Sequence, residues 1–345
     1  MNISESFQKI STDHPERQPG STGAKAVFDF IKQETSNWEF HASTKKIPLF
    51  NFSVSIIIFV ILSLLAIVFS FAHPTGGFVV ILILFLLFAT ELIHPVLARL
   101  KKGMAESLLL TIPARSKETQ RIIIMSNMTT DFFNAQPVKL SNRIYLGLIY
   151  GASFIALLMV AGNLWLKLPV LLYLAIAALL IVIGLKLFAK VQGQPAGLDN
   201  CALLLELGSL LIKSRPATLS VSLYFSGANS LNSGVLEIPK FLYQTPKLTY
   251  VVTLSNYPDK RINLVTTDGL AIPRQSDSLL VEMLMEVAKE KAIPLQTIKL
   301  SEVSPAYGLK LKRFKAITIT NPLQVPEANR NIRELLSGLI RKLDH

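Results

Sequence analysis

Two long blocks of uninterrupted apolar sequence constrain this chain more than any other feature. Phe50 to Ala72 carries no charge, and Gly77 to Leu97 carries one acid, Glu91. Ile144 to Leu164 and Leu168 to Ala189 repeat the pattern. About twenty apolar residues suffice to cross the ~30 Å hydrocarbon core of a bilayer as a helix. Each pair is joined by a short break, His73-Pro74-Thr75-Gly76-Gly77 in the first and Trp165-Leu166-Lys167 in the second. Breakers at that spacing predict tight turns, so the expectation is four membrane helices in two hairpins. Only 17% of the residues are charged, against about 25% in ordinary soluble domains. The first eighteen residues are polar, without the apolar core of a signal peptide, so the first span is expected to act as its own insertion signal.

Basic residues close to helix ends set orientation. Lys45, Lys46, Arg99, Lys101, Lys102, Lys139, Arg143, Lys186 and Lys190 flank one side, whereas the short turns carry only Lys167 and His73. This places residues 1–49, 98–143 and 190–345 together in the cytoplasm. Glu91 and His94 lie one helical turn apart near that end of the second span. They read as an interfacial pair that reaches water ahead of Pro95, the alternative being part of an intramembrane ion path.

The formal charge of +12 is consistent with basic cytoplasmic flanks. The bases are scattered, without the clustered or aromatic-interleaved pattern of nucleic-acid readers, so no nucleic-acid partner is expected. The lone Cys201 rules out an intrachain disulfide, in keeping with a reducing compartment. At a predicted helix start a thiolate would gain stability, but a small buried cysteine is the commoner case.

The polar pieces read as parts of one α/β domain. Ala24 to Glu34 has helical spacing, and Trp38 to Lys45 alternates weakly as a strand. Ser107 to Ile112, Arg121 to Ser126, Leu219 to Phe225, Tyr250 to Leu254, Arg261 to Thr266 and Ala316 to Thr320 read as strands. Ala202 to Lys213, Ser278 to Lys291 and Glu327 to Leu343 read as helices. Neither short piece, 1–49 or 98–143, could build a core alone. The predicted architecture is therefore α/β with a sheet covered on both faces, interrupted by hairpins at 50–97 and 144–189.

Several segments carry a family pattern in order. Arg17-Gln18-Pro19-Gly20-Ser21-Thr22-Gly23 precedes a helix. Arg121-Ile122-Ile123-Ile124-Met125-Ser126 is a buried-type strand. Gly197-Leu198-Asp199-Asn200 leads into Leu203-Leu204-Leu205-Glu206-Leu207. Leu223-Tyr224-Phe225-Ser226-Gly227-Ala228 is another strand, and Ser304 to Ile319 ends in a third. In this order the chain resembles metallopeptidase family twenty-eight, the di-zinc aminopeptidases. The resemblance implies a three-layer sandwich with a mixed sheet, with the two hairpins as insertions between early strands and before the Asp-Asn turn.

The same resemblance implies where a metal site would lie. The first histidine of the family falls at Asn127 and the aspartate beside it at Thr129. The bridging carboxylate falls at Asp199, whose other reading is a helix N-cap ahead of Ala202. The catalytic glutamate falls at Asn229 and its metal-binding neighbour at Ser230. The next carboxylate falls at Ser255 or Asn256, and the last histidine at Ala306. One carboxylate cannot hold two zinc ions, and an amide cannot take a proton from water. His14, His41, His73, His94 and His345 show no metal-ligand spacing. Asp131 with Asp199 would suit magnesium or calcium at best. No Gly-x-Ser-x-Gly elbow or phosphate-binding glycine loop is present.

The resulting expectation is a multi-pass membrane protein with a degenerate peptidase-like domain. It would hold a peptide or protein partner, would not hydrolyse it, and would need no cofactor. Two readings stand beside it: an active zinc aminopeptidase with a rearranged site, and a subunit of a small membrane transporter complex.

Overall fold

The structure is a computed structural model. It describes residues 3–14, 17, 20–40, 42–49, 52–93, 103–129, 138–140, 142–191, 198–227, 248–257, 259–269, 273–300, 304–322 and 325–344. The chain forms two compact units. One comprises Met1–Leu49, Met104–Asp131 and Gln194–His345, and the other Phe50–Gly103 and Phe132–Gly193.

The first unit is built on a mixed nine-stranded sheet. Its strands are β1 (Ala42–Leu49), β2 (Gly103–Ile112), β3 (Gln120–Asn127), β6 (Leu219–Ser226), β7 (Leu248–Tyr257), β8 (Ile262–Asp268), β9 (Arg274–Gln275), β10 (Leu295–Lys299) and β11 (Lys315–Pro322). The spatial order is β1-β2-β6-β3-β7-β11-β8-β10, with β9 on β8. The centre, β6-β3-β7-β11, is all parallel. β2 and β8 run against it on either side. Parallel strands are covered on both faces, and the central sequences show it. In β3, Ile122 and Ile124 enter one apolar cluster while Ile123 and Met125 enter another.

Helices α1 (Ile3–Asp13), α2 (Thr22–Thr35), α7 (Leu198–Lys213), α8 (Ser278–Glu290) and α10 (Pro326–Leu343) all contribute to the larger cluster. α10 buries Ile332, Leu335, Leu336, Leu339, Ile340 and Leu343 along one stripe, while Arg330 and Glu334 pair on its surface at 3.1 Å. α2 is capped by Ser21, whose hydroxyl accepts from the Ala24 N–H at 3.2 Å. The other face carries the short α9 (Tyr307–Leu311), through Ala306 and Leu309.

Asp344 fastens the end of α10 to the start of β6. Its carboxylate accepts from the backbone N–H groups of Ala217 (2.7 Å), Thr218 (2.7 Å) and Leu219 (2.9 Å). Partial burial pushes its pKa up, but these donors outweigh that and hold it below the ordinary aspartate value. A depressed folded pKa adds stability above the unfolded value, lost as pH falls through the folded one. Asp344→Ala is expected to cost about 1–2 kcal/mol at pH 7, the half-exposed site trimming a charge-assisted contribution. The deficit should shrink below about pH 4, the unfolded aspartate value. Urea titrations of the full chain in detergent at pH 7 and pH 3 check this, and an equal deficit at both would refute it.

The second unit holds four apolar helices, α3 (Phe52–Ala72), α4 (Pro74–Ile93), α5 (Asn142–Leu166) and α6 (Val170–Phe188), with strands β4 (Val138–Leu140) and β5 (Ala189–Val191). α3 packs on α4 and α6, and α5 packs on α4 and α6, giving a closed bundle. Within the described residues, Gly147–Leu166 and Val170–Leu187 are long and apolar enough to cross a membrane. The described parts of the other pair, Ile57–Ala72 and Pro74–Leu87, are shorter apolar helices. Phe59, Ala66, Ile81, Ala156 and Val182 point inward, whereas Ile57, Val68, Leu86, Leu158 and Leu180 are exposed. Buried Ser63 and Ser70 donate to the carbonyls of Phe59 and Ala66, one turn back.

The first inter-helix break is shorter than the sequence suggests. α4 begins at Pro74, leaving His73 alone between the helices. Proline is tolerated at a first helical position, where its missing N–H is not needed. Gly77 lies in α4 because the two helices touch there, and a Cβ on it would stand 2.4 Å from Ser70 Oγ. The second turn shifts the other way, with α5 running through Leu166. Glu91 lies within α4 and His94 lies outside the described residues, so their pairing does not enter the description.

Candidate functional site

The four central strands point the same way, so their carboxyl ends form one edge. Asn127 ends β3 opposite Ser226, and Asn256 near the end of β7 is opposite Asn321 in β11. Ligands of open α/β sheets bind outside this edge. The end of β6 is pressed onto β2: a Cβ on Gly227 would stand 2.0 Å from the Glu106 carbonyl oxygen, and the Gly227 N–H donates to Ser107 Oγ at 2.8 Å.

The first turn of α7 reaches this edge with Asp199, Asn200 and Cys201. Asp199 is therefore not the N-cap ahead of Ala202; the helix starts at Leu198, which is buried in the core. Within the first turn a carboxylate faces the positive end of the helix dipole. Asp199 is exposed along part of its surface, and the burial of the rest raises its pKa.

Asn200 is the centre of a buried amide chain. Its Nδ2 donates to Asn256 Oδ1 at 2.8 Å, and its Oδ1 accepts from Asn321 Nδ2 at 2.8 Å. Asn321 Nδ2 also donates to Asn329 Oδ1 on α10 at 2.7 Å. The chain ties α7, β7, β11 and α10 together without a charge. Cys201 is fully buried, with Ser126 Oγ 3.4 Å from its sulfur and the Asn127 carbonyl accepting from it at 3.5 Å. Burial pushes the thiol up to about 12, against smaller opposing effects of Ser126 and Arg17. A thiol at that value is not a nucleophile at neutral pH. Arg17 is itself buried and donates to the His14 carbonyl at 2.7 Å. Burial lowers its pKa.

Among the described residues, the side chains of Asn127, Thr129, Ser255 and Ala306 make no hydrogen bond to this amide chain. Asn127 Oδ1 and the hydroxyl of buried Thr129 have no hydrogen-bond partner among the described residues. Ser255 follows Val251 and Thr253 in alternation, which puts it on the face opposite Asn256. Ala306 is buried on that opposite face, its N–H near Ser304 Oγ and Thr318 Oγ1 at 3.3 and 3.4 Å. Asn229, Ser230 and Asp131 lie outside the described residues. Of Ser255 and Asn256, the latter is the one beside the Asp199-Asn200 turn.

Asn321 and Asn329 carry no sequence signal of a site. The only hint is that Asn321 directly follows the buried run Ala316 to Thr320. Among the described residues no group of three or more His, Cys, Asp or Glu side chains could hold a metal ion. The described amide and hydroxyl groups beside Asp199 are not themselves zinc donors, which are nitrogen, thiolate or carboxylate groups.

No protein-family model matches the sequence, and no curated protein matches it. Solved structures do match. A glutaminyl cyclase from an Acidobacteriales bacterium is 12% identical, with a TM-score of 0.52 over 99% of this chain and 93% of that one. The leucine aminopeptidase precursor of Bacteroides thetaiotaomicron is 9% identical, with a TM-score of 0.50 over 99% and 97%. The LapA aminopeptidase of Legionella pneumophila is 9% identical, with a TM-score of 0.50 over 99% and 71%. The fold is aminopeptidase-like α/β. At such identities the likeness is one of fold, and activity has to be argued from the site.

Proposed function

We propose that this is a multi-pass membrane protein whose aminopeptidase-like unit holds a peptide or protein segment at its carboxyl edge without hydrolysing it. The observation carrying the reading is the buried hydrogen bond from Asn200 to Asn256, which ties up an amide at one of the two positions where the resemblance has the family's next carboxylate. The sequence adds Asn229 and Ser230 at the family's paired glutamates and Ala306 at its last histidine. Hydrolysis by a metal-bound water needs both a metal and a general base, and this edge offers amides in their place. Asp199, exposed along part of its surface, remains as a hydrogen-bonding group for a bound chain.

The four apolar helices are read as two membrane hairpins. In favour stand the outward apolar surface of α3 to α6, too large a patch for a water-soluble bundle, and the basic residues at one end. Those residues favour a cytoplasmic α/β unit.

The test is metal content by mass spectrometry on detergent-purified full chain, with aminopeptidase and glutaminyl cyclase assays on the same sample. Zinc well below one per chain with no turnover is the expected result. Near-stoichiometric zinc with activity would overturn the reading in favour of a hydrolase with a rearranged site. A solute-transport defect on scrambling the apolar spans would favour the transporter subunit.

A further inference from the structure

Bases that are scattered in the sequence gather at the amino edge of the sheet, opposite the candidate site. β2 runs against β6, with Ile112 paired to Val221, so the end of β2 meets the start of β6. There the segment after β2 is zipped to the segment before β6. The N–H groups of Arg115, Ser116 and Thr119 donate to the carbonyls of Pro216, Ala217 and Thr218, each at 2.9 Å. Ser116 Oγ also donates to the Ala217 carbonyl, at 2.6 Å. This holds Arg115 and Lys117 beside Arg215, and Lys213 ends α7 just before it. The Asp344 hydrogen bonds bring the last turn of α10, with Arg341, to the same place. Arg115, Lys117, Lys213 and Arg341 are exposed, whereas Arg215 is half-buried with its guanidinium 5.3 Å from the centre of the Phe40 ring.

Two acids within this surface are engaged by the fold. Glu118 pairs with Arg121 at 3.1 Å and accepts from Ser220 Oγ at 2.8 Å, and the Asp344 carboxylate is taken up by backbone N–H groups. Exposed Glu39, next to Phe40 in sequence, is set against the five bases. Orientation of the membrane helices does not account for these bases. All lie farther from the ends of α4, α5 and α6 than the ~15–20 residues over which basic flanks act. Guanidinium groups match carboxylates in a two-point fork, and a surface already ordered by the zipped segments loses little entropy on binding. Residues 113–119 and 213–218 present no exposed large apolar side chain, as a bilayer-docking surface would. Phe40 has a face taken by Arg215, which leaves it poorly placed for stacking on nucleic-acid bases. We propose that Arg115, Lys117, Lys213, Arg215 and Arg341 form a docking surface for an acidic segment of a partner protein. The surface is separate from the candidate site, and its failure would leave the reading of that site untouched.

The test titrates the full chain, in nanodiscs of neutral lipid, against a fluorescently labelled glutamate-rich peptide read by anisotropy. Wild type should bind the peptide, and more weakly as salt rises. Arg115→Glu/Lys117→Glu should weaken binding by roughly tenfold, each change replacing an attraction with a repulsion of similar size. Lys289→Glu/Lys291→Glu makes the same change in net charge at exposed positions on and just after α8, and should bind like wild type. If the reversal variant loses the wild-type thermal midpoint, Arg115→Gln/Lys117→Gln takes its place, with an expected weakening of about threefold. No peptide binding by wild type would overturn the surface. Equal weakening in the Lys289/Lys291 variant would also overturn it, since only net charge would then be felt. An oligonucleotide or phosphatidylserine vesicles bound in preference to the peptide, and lost in the Arg115/Lys117 variant, would overturn the acidic protein segment as the partner.

Discussion

Lys310→Met is expected to destabilise the α/β unit by about 3–5 kcal/mol, as for other buried pairs stripped of one partner. Lys310 on α9 and Asp268 at the end of β8 form an ion pair at 2.8 Å, with side chains 2% and 0% exposed. Burial lowers the lysine pKa and Asp268 acts against that, raising it by charge and by hydrogen bond. Asp268 Oδ2 has no hydrogen-bond partner among the described residues, so its carboxylate depends on Lys310 for the other oxygen. Removing the ammonium leaves a carboxylate in the core without its partner at 2.8 Å among the described residues, and its desolvation is no longer offset by Lys310. Lys310→Met/Asp268→Leu removes both charges and should recover most of the loss, because apolar replacements of a buried pair are often neutral or stabilising. Denaturant midpoints of wild type, both single variants and the double variant in detergent close the cycle. Additive losses in the double variant would show that packing of α9, not the charge, was removed.

This pair also marks the limit of what the sequence reveals. Lys310 and Asp268 are forty-two positions apart, and in the sequence each passes for a surface charge. The elements around them were legible wherever one face is apolar at a clean period. α10 shows its stripe from Ile332 to Leu343, and β3, β6 and β11 are apolar runs because both their faces are covered. β10 lacks such a run: Gln296, Thr297 and Lys299 are exposed on an edge strand, so little apolar pattern was required. α1 is mostly polar, and only its Phe7 is a fully buried apolar residue. The Asp199 helix start was misplaced for a related reason. Asp-Asn before an apolar run has the composition of a cap, but Leu198 gains burial by starting the helix sooner.

Motif order points to Asp199 in the sequence and leaves Ser255 and Asn256 as alternatives, because strand alternation alone does not say which face meets the α7 turn. The partnership of Asn200 with Asn321 and Asn329 is not legible in the sequence. It joins residues more than a hundred positions apart, and asparagine at a strand end ordinarily signals only a turn.

Asn200 is the amide on which this buried chain turns, so substitutions there test how far the edge depends on it. Asn200→Leu keeps the volume but leaves Asn256 Oδ1 and one Asn321 N–H unsatisfied in a buried position, for an expected loss of about 2–5 kcal/mol. Asn200→Asp is the more informative change. The introduced carboxyl can accept from Asn321 Nδ2, but it meets the acceptor Asn256 Oδ1 unless it is protonated or that amide turns over. It is also buried beside Asp199. All of these favour the neutral form, so its folded pKa is raised above the ordinary unfolded value of about 3.9. An acid raised in the folded state binds more protons there. The variant should therefore be close to wild type near pH 4 and lose stability as pH rises through the unfolded value toward the folded one. Added zinc should not restore it at pH 7.5, since the neighbouring thiol of Cys201 is fully buried and held protonated. Thermal unfolding at pH 4.5 and pH 7.5, with and without zinc, makes the measurement. Zinc-dependent recovery at the higher pH would mean that carboxylates at 199 and 200 had found further ligands, and that the edge is a metal site one substitution away from loading.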